Sequence, residues 1–281
     1  MLKQRVITAL VLLSILLPAL FYAPPWVFYG IALVFMALAG WEWGRLNGLS
    51  FYRATLLGLA CAVVCGLLWF AGIVQVALPR VWLLVGCFWV LLSAWVLRSG
   101  VSAWSGYAVW LRLIFGVLAL CLTWLAVAQA RFLGLDFLFS VLALVWVADI
   151  GAYFAGRALG GRLVKRKLAA SISPGKSWEG VFGGMVGVIV LALGWRYVDM
   201  MSAAAMPSLF THLWVRGWLF LVVAVLFLAA MSVVGDLVES LVKRSAGFKD
   251  SSALLPGHGG VLDRVDALLP TLPLAMMLYS F

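Results

Sequence analysis

The stretch richest in reactive side chains is Gly235 to Asp266, GDLVESLVKRSAGFKDSSALLPGHGGVLDRVD. Read as a helix running on from an apolar segment, it sets Asp236, Ser240 and Lys243 on one face at i, i+4 and i+7, with Glu239 beside them. A stripe of acid and base can hold a metal ion and the phosphates that the ion neutralises. Pro256-Gly257-His258-Gly259-Gly260 follows, a loop able to take positive φ and turn backbone N–H groups toward an anion. Asp263 and Asp266 come next at i, i+3 with Arg264 between them, a hard-oxygen pair suited to Mg2+. A solvated charged loop explains the lysines but not why Asp236, Asp263 and Asp266 bracket a His-Gly-Gly turn. A zinc site is disfavoured, because no Cys lies near His258 and the other histidine, His212, falls on the opposite side. A lone His in a glycine loop is better suited to donating a hydrogen bond to phosphate.

Two earlier segments carry further polar chemistry. In Val145 to Arg157, Asp149 and Tyr153 are i, i+4 with Gly156 at i+7, so that acid, phenol and a close-packing glycine share a face. A carboxylate inside an apolar span needs a polar cavity or a partner; a pocket wall and a structural bond to a neighbouring helix both meet that need. In Ser171 to Gly180, Pro174 ends any preceding helix and Ser177 can cap the next, beside Lys176 and Glu179. Such a corner suits a phosphate, although Lys176 as a cytoplasmic anchor and Ser177 as a plain cap are equally open. No Gly-x-Ser-x-Gly frame and no Walker loop are found.

These groups sit in a chain of 281 residues with 66% hydrophobic and 11% charged residues and a mean hydropathy of +1.14. Soluble chains carry about 25% charge, so a cytosolic enzyme, a nucleic-acid partner and a disordered tail are excluded in favour of an all-α, polytopic integral membrane protein. Nine apolar runs qualify as spans, at 6–22, 26–41, 55–78, 81–97, 108–130, 137–156, 178–198, 214–235 and 267–281. The last carries Pro270 and Pro273 and is expected to be kinked or partly inserted. Basic residues stay on the cytoplasmic side, and placing Arg157, Arg162, Lys165, Arg166, Lys167 and Lys176 there puts Lys3 and Arg5 there too. Only Arg80, Arg131, Arg196 and Arg216 of the 20 basic residues then face the other way. The N-terminus and the polar site are therefore expected in the cytoplasm, which accounts for the net charge of +10 without nucleic acid. Cys61, Cys65, Cys87 and Cys121 lie in apolar runs and read as small buried hydrophobes. Most acids fall after residue 149, so residues 1–140 read as scaffold helices and 141–281 as the catalytic region of one membrane-embedded unit.

The run Ser240-x-Val242-Lys243-Arg244-x4-Lys249-Asp250-x-Ser252-x2-Leu255-Pro256-x-His258-Gly259-Gly260-Val261-x-Asp263-Arg264-Val265-Asp266 resembles the signature of the phosphatidate cytidylyltransferase (CDP-diacylglycerol synthase) family. Asp149-x-x-Ala152-Tyr153-x-x-Gly156-Arg157 and Ser173-Pro174-x-Lys176-Ser177-x-Glu179-Gly180 are similar to the same family; the first 140 residues agree in hydropathy alone. The resemblance implies that CTP and phosphatidic acid give CDP-diacylglycerol and pyrophosphate with Mg2+, at the cytoplasmic face of a bacterial inner membrane. With it come graded roles. Asp236, Asp263 and Asp266 hold Mg2+ and any second cation, and these three with Lys243 form the catalytic set. Lys243, Arg244, Lys249 and Arg264 neutralise the triphosphate and the lipid phosphate, and Ser240, Asp250, His258, Gly259 and Gly260 are further substrate-binding residues. Ser173, Lys176 and Glu179 close the opposite wall, with Asp149 and Tyr153 as its floor. A homodimer is also implied, with Gly183 and Gly187 at a helix-packing spacing. The nearest competing activity is a CTP-dependent polyprenol or dolichol kinase, which would move the γ-phosphoryl group instead. An ion-coupled transporter is a more distant reading, since transporter sites lie near the midplane.

Overall fold

Apolar segments without water to satisfy their backbone must close their hydrogen bonds internally, and this chain does so as helices. The computed structural model describes residues 2–202 and 206–281; the side chains of Lys3 and Arg5 lie outside the described set. In order the helices are α1 (Leu2–Phe21), α2 (Pro25–Leu46), α3 (Phe51–Phe70), α4 (Pro79–Ser99), the short α5 (Val101–Trp104), α6 (Val109–Leu133) and α7 (Leu135–Leu159). After a basic connection come α8 (Trp178–Ser202), the short α9 (Leu209–Trp214), α10 (Trp218–Ser245), the one-turn α11 (Leu262–Val265) and α12 (Leu268–Ser280). Among the described residues the fold is all α, as expected. Seven helices (α2, α3, α4, α6, α7, α8 and α10) are long and apolar enough to cross a membrane. The first and last of the nine expected spans fall short, because the apolar part of α1 is Val6–Phe21 and α12 has 13 residues.

Packing divides the chain into two units that interleave in sequence. The first comprises Met1–Val76, Val101–Phe132 and Glu239–Asp266; the second comprises Ala77–Gly100, Leu133–Val238 and Ala267–Phe281. Helix α10 belongs to both, passing from the second to the first between Val238 and Glu239.

In the first unit α2 packs closely on α3, where a Cβ on Gly58 would press on the carbonyl of Ala37 and the backbone of Trp41. Buried Trp43 and Trp124 donate their indole N–H to Arg112 O (2.9 Å) and Tyr29 O (3.1 Å), since an apolar interior supplies no water to accept them. In the second unit α7 and α8 form the most extensive helix pair. Gly151 meets Gly183 and Gly184, Gly180 meets Ala152, and Gly187 meets Val147. The spacing of Gly183 and Gly187, which pointed to a homodimer, is thus used for packing within the chain. In the last turn of α8, Asp199 accepts hydrogen bonds from Ser208 N, Ser208 Oγ and Thr211 Oγ1 (2.9, 2.5 and 2.6 Å), which ties it to the start of α9.

Candidate active site

In the first unit the last two turns of α10 meet the loop that leads to α11. Lys243 Nζ lies 2.6 Å from Glu239 Oε2 and 2.5 Å from Asp263 Oδ1. All three are largely buried, with side-chain exposures of 11%, 1% and 6%. The other Asp263 oxygen, Oδ2, accepts from Ser251 N (2.9 Å), Ser251 Oγ (2.9 Å) and Gly260 N (2.7 Å). Burial pushes the Asp263 carboxyl up, but the Lys243 ammonium and these amides outweigh it and hold the group below the usual carboxylate range. Glu239 Oε1 is buried without a hydrogen-bond partner, and Asp266 is near enough to act on Glu239 electrostatically.

The glycine loop adopts the expected positive φ at two positions, Gly257 (77°) and Gly259 (85°). Its turn is closed by Leu255 N to Gly259 O and His258 N to Leu255 O, both 2.8 Å. Arg264 donates through Nε and Nη2 to His258 O (3.1 and 2.7 Å), locking the guanidinium across the turn. A cavity of about 520 Å³ opens here, lined by Lys249, Asp250, Ser252, His258, Gly259 and Arg264, with Gln4 of α1 at its edge. His258 Nδ1 is buried there without a hydrogen-bond partner. Arg244 is exposed and donates to Phe248 O (3.2 Å), whereas Ser240 is buried on α10.

The second unit contains a separate cavity of about 560 Å³, walled by Asp149, Tyr153 and Arg157 of α7, Lys176 and Ser177 before α8, and Asp236 of α10. Lys176 Nζ and Asp236 Oδ2 pair at 2.6 Å across it, and Arg157 Nη1 donates to Tyr153 Oη at 3.0 Å. Asp149 and Tyr153 thus both line a cavity wall. Ser177 caps α8 by accepting from Gly180 N (3.2 Å).

Several residues sit elsewhere than their expected roles required. Glu179 is 3% exposed and its Oε1 accepts from Leu163 N (3.0 Å) and Val164 N (2.8 Å), so it pins the basic connection and does not line the wall. Ser173 lies in the turn bridged to Ala169 and is not among the cavity residues. Lys243, expected to neutralise phosphate, is engaged by two carboxylates. Among the described residues no three His, Cys, Asp or Glu side chains are gathered as a metal site.

Sequence reasoning missed Glu42 and undervalued Glu239. Glu42, near the C-terminal end of α2 and 0% exposed, accepts hydrogen bonds from Ser251, Ser252, Val261 and Leu262. The signal was the one used for Asp149: a carboxylate on an apolar helix needs a partner. Glu239 could have been found from its i, i+4 spacing to Lys243.

A family model described as the cytidylyltransferase family matches residues 3–281. A phosphatidate cytidylyltransferase of Pseudomonas aeruginosa is 40% identical over 279 residues, covering 97% of this chain and 95% of the relative. One of Haemophilus influenzae is 37% identical over 306 residues, covering 100% and 99%. One of Bacillus subtilis is 41% identical over 147 residues, 52% of this chain and 48% of its own.

Proposed function

The chain belongs to the cytidylyltransferase family, and from that premise we propose how its residues carry the transfer. It is an integral membrane nucleotidyltransferase that makes CDP-diacylglycerol from CTP and phosphatidate. A phosphate oxygen of phosphatidate attacks the α-phosphorus of CTP in line. The bond from that phosphorus to the β-phosphate's bridging oxygen breaks, and pyrophosphate leaves. Phosphatidate is already an anionic nucleophile, so the protein needs to position groups and balance charge, with no covalent intermediate.

The observation that carries the assignment is the buried Glu239–Lys243–Asp263 cluster, with Asp263 fixed by loop amides. Its donor set suits a hard divalent cation: carboxylate oxygens only, one of them, Glu239 Oε1, buried without a hydrogen-bond donor. Asp263 and Asp266 would hold Mg2+, with Glu239 beside them; Mg2+ supplies neutralisation of phosphate charge when bound. Lys243 keeps Asp263 and Glu239 from repelling each other and sets the direction of both carboxylates. His258, Lys249, Arg264 and the Gly257–Gly260 backbone offer donors to the triphosphate from the adjoining cavity.

In the second unit Lys176, Arg157 and Tyr153 suit the phosphate of an acidic lipid, because their cavity opens among apolar helices. A phosphate entering it competes with Asp236 for Lys176 and releases that carboxylate for cation binding. The concentration of basic residues in the connections supports a site at the cytoplasmic face of a bacterial inner membrane, where CTP is available.

Purified protein should be given CTP labelled at the α- or the γ-phosphorus, with phosphatidate and Mg2+. Label in lipid from the α position alone, with one pyrophosphate per lipid product, is expected. Label from γ would mean a lipid kinase and overturn the reading.

A further inference from the structure

We propose that Glu42 is a positioning residue for cytidylyl transfer, acting on Asp263 through the loop edges that carry Ser251 and Gly260. The inference rests on the placement of Asp263 in the reaction described above.

Glu42 lies on α2, more than 200 residues from the loop it holds. Its Oε1 accepts from Ser252 Oγ (2.5 Å) and Val261 N (2.9 Å); its Oε2 accepts from Leu262 N (2.6 Å) and Ser251 Oγ (3.1 Å). One carboxylate thus fastens both edges of the loop, residues 251–252 on one side and 261–262 on the other. The same Ser251 presents its N–H and its hydroxyl to Asp263 Oδ2, each at 2.9 Å. Ser251 Oγ has a single proton, so while it serves Asp263 the other three donors hold Glu42. Gly260 completes the arrangement: its N–H reaches Asp263 Oδ2 at 2.7 Å, and a Cβ on it would collide with Ser251 Oγ and the Glu42 carboxylate. The two edges therefore meet over Glu42, and the amides that orient Asp263 come from those same edges. A completely buried carboxylate with this many donors is spent on geometry, not on substrate contact.

Glu42→Gln keeps the shape and reverses one half of the chemistry. Whichever way the new amide is turned, its NH2 faces the backbone N–H of Val261 or Leu262, and neither can rotate away. Loss of such an outer partner to a metal-binding carboxylate costs about 10- to 100-fold in metal affinity or activity.

Two readouts separate positioning from general stability. The Mg2+ concentration giving half-maximal rate is independent of how much protein is folded, and should rise about tenfold in Glu42→Gln. Hydrogen–deuterium exchange without metal should show faster exchange over residues 251–262. Ser251→Ala, which leaves α2 intact, should raise the Mg2+ requirement similarly, and the double variant should fall short of the product of the two effects. Met36→Ala, a core truncation on the same helix, should lower the unfolding midpoint without changing the Mg2+ requirement. Wild-type exchange in Glu42→Gln overturns the brace. Faster exchange with an unchanged Mg2+ requirement overturns the route through Asp263. If Asp263→Asn also leaves the requirement unchanged, the metal assignment itself has failed.

Discussion

Lys243 is the residue on which the charge balance of the cluster turns. Its ammonium lies within 2.6 Å of Glu239 and Asp263, in surroundings that give carboxylates little solvation. Lys243→Met should leave two buried acids facing each other, and removing one member of a buried ion pair costs about 3 kcal/mol. A lower unfolding midpoint in detergent, together with loss of turnover, checks this. Asp266 acts electrostatically on the buried Glu239, so Asp266→Asn should raise the Mg2+ concentration needed for half-maximal rate in a steady-state titration while the protein keeps its unfolding midpoint. Much at this scale was legible in advance, since Asp236, Lys243, His258, Asp263 and Asp266 crowd into a short stretch where spacing alone announces chemistry. For Glu42 the need for a partner was legible but its partners were not, because they are serines and main-chain amides distant in sequence. The pairing of Lys243 with two acids needed the fold of the loop, which no helical periodicity describes.

Helices and loops set where these side chains point, and glycine shows two ways of doing so. Gly260 is required by crowding: its φ is not positive, but a side chain would strike Glu42 and Ser251. Gly247 is required by conformation alone, with φ of 79° and open space around it. Gly260→Ala should therefore abolish most turnover, whereas Gly247→Ala should cost about 1 kcal/mol of stability and keep the activity; rates compared with unfolding midpoints distinguish the two. The α7–α8 pair makes a parallel case. A Cβ at Gly184 would lie 2.5 Å from Ala148 O, so Gly184→Val should push the helices apart at about 2 kcal/mol. Because Asp149 and Tyr153 ride on α7 and Lys176 sits at the start of α8, the KM for phosphatidate should rise with it. The apolar runs foretold most helices, since backbone in lipid has few alternatives to helix. The two terminal runs give shorter apolar helices, Val6–Phe21 within α1 and the 13-residue α12 with Pro273 inside it. Glycine spacing in α8 was visible, but a motif that fits a neighbouring copy fits a neighbouring helix equally well.

At the scale of the molecule, the chain binds sequence-distant pieces into each unit, an arrangement that hydropathy read along the chain does not describe. The N-terminal helices form one unit with the signature loop, and α10 runs through both units. The uneven distribution of basic residues predicts which side of the membrane each connection faces. In spheroplasts of a Cys87→Ala background, a membrane-impermeant maleimide should leave Lys165→Cys unlabelled until the membrane is opened. Val215→Cys should react at once, and the opposite pattern would reverse the topology. The most direct test of the whole scheme is the rate at which purified Asp263→Asn moves α-labelled CTP into lipid at saturating Mg2+, in protein that elutes as the wild type does. A loss of about a thousandfold is expected; a rate within tenfold of wild type would contradict the placement of the reaction at this cluster.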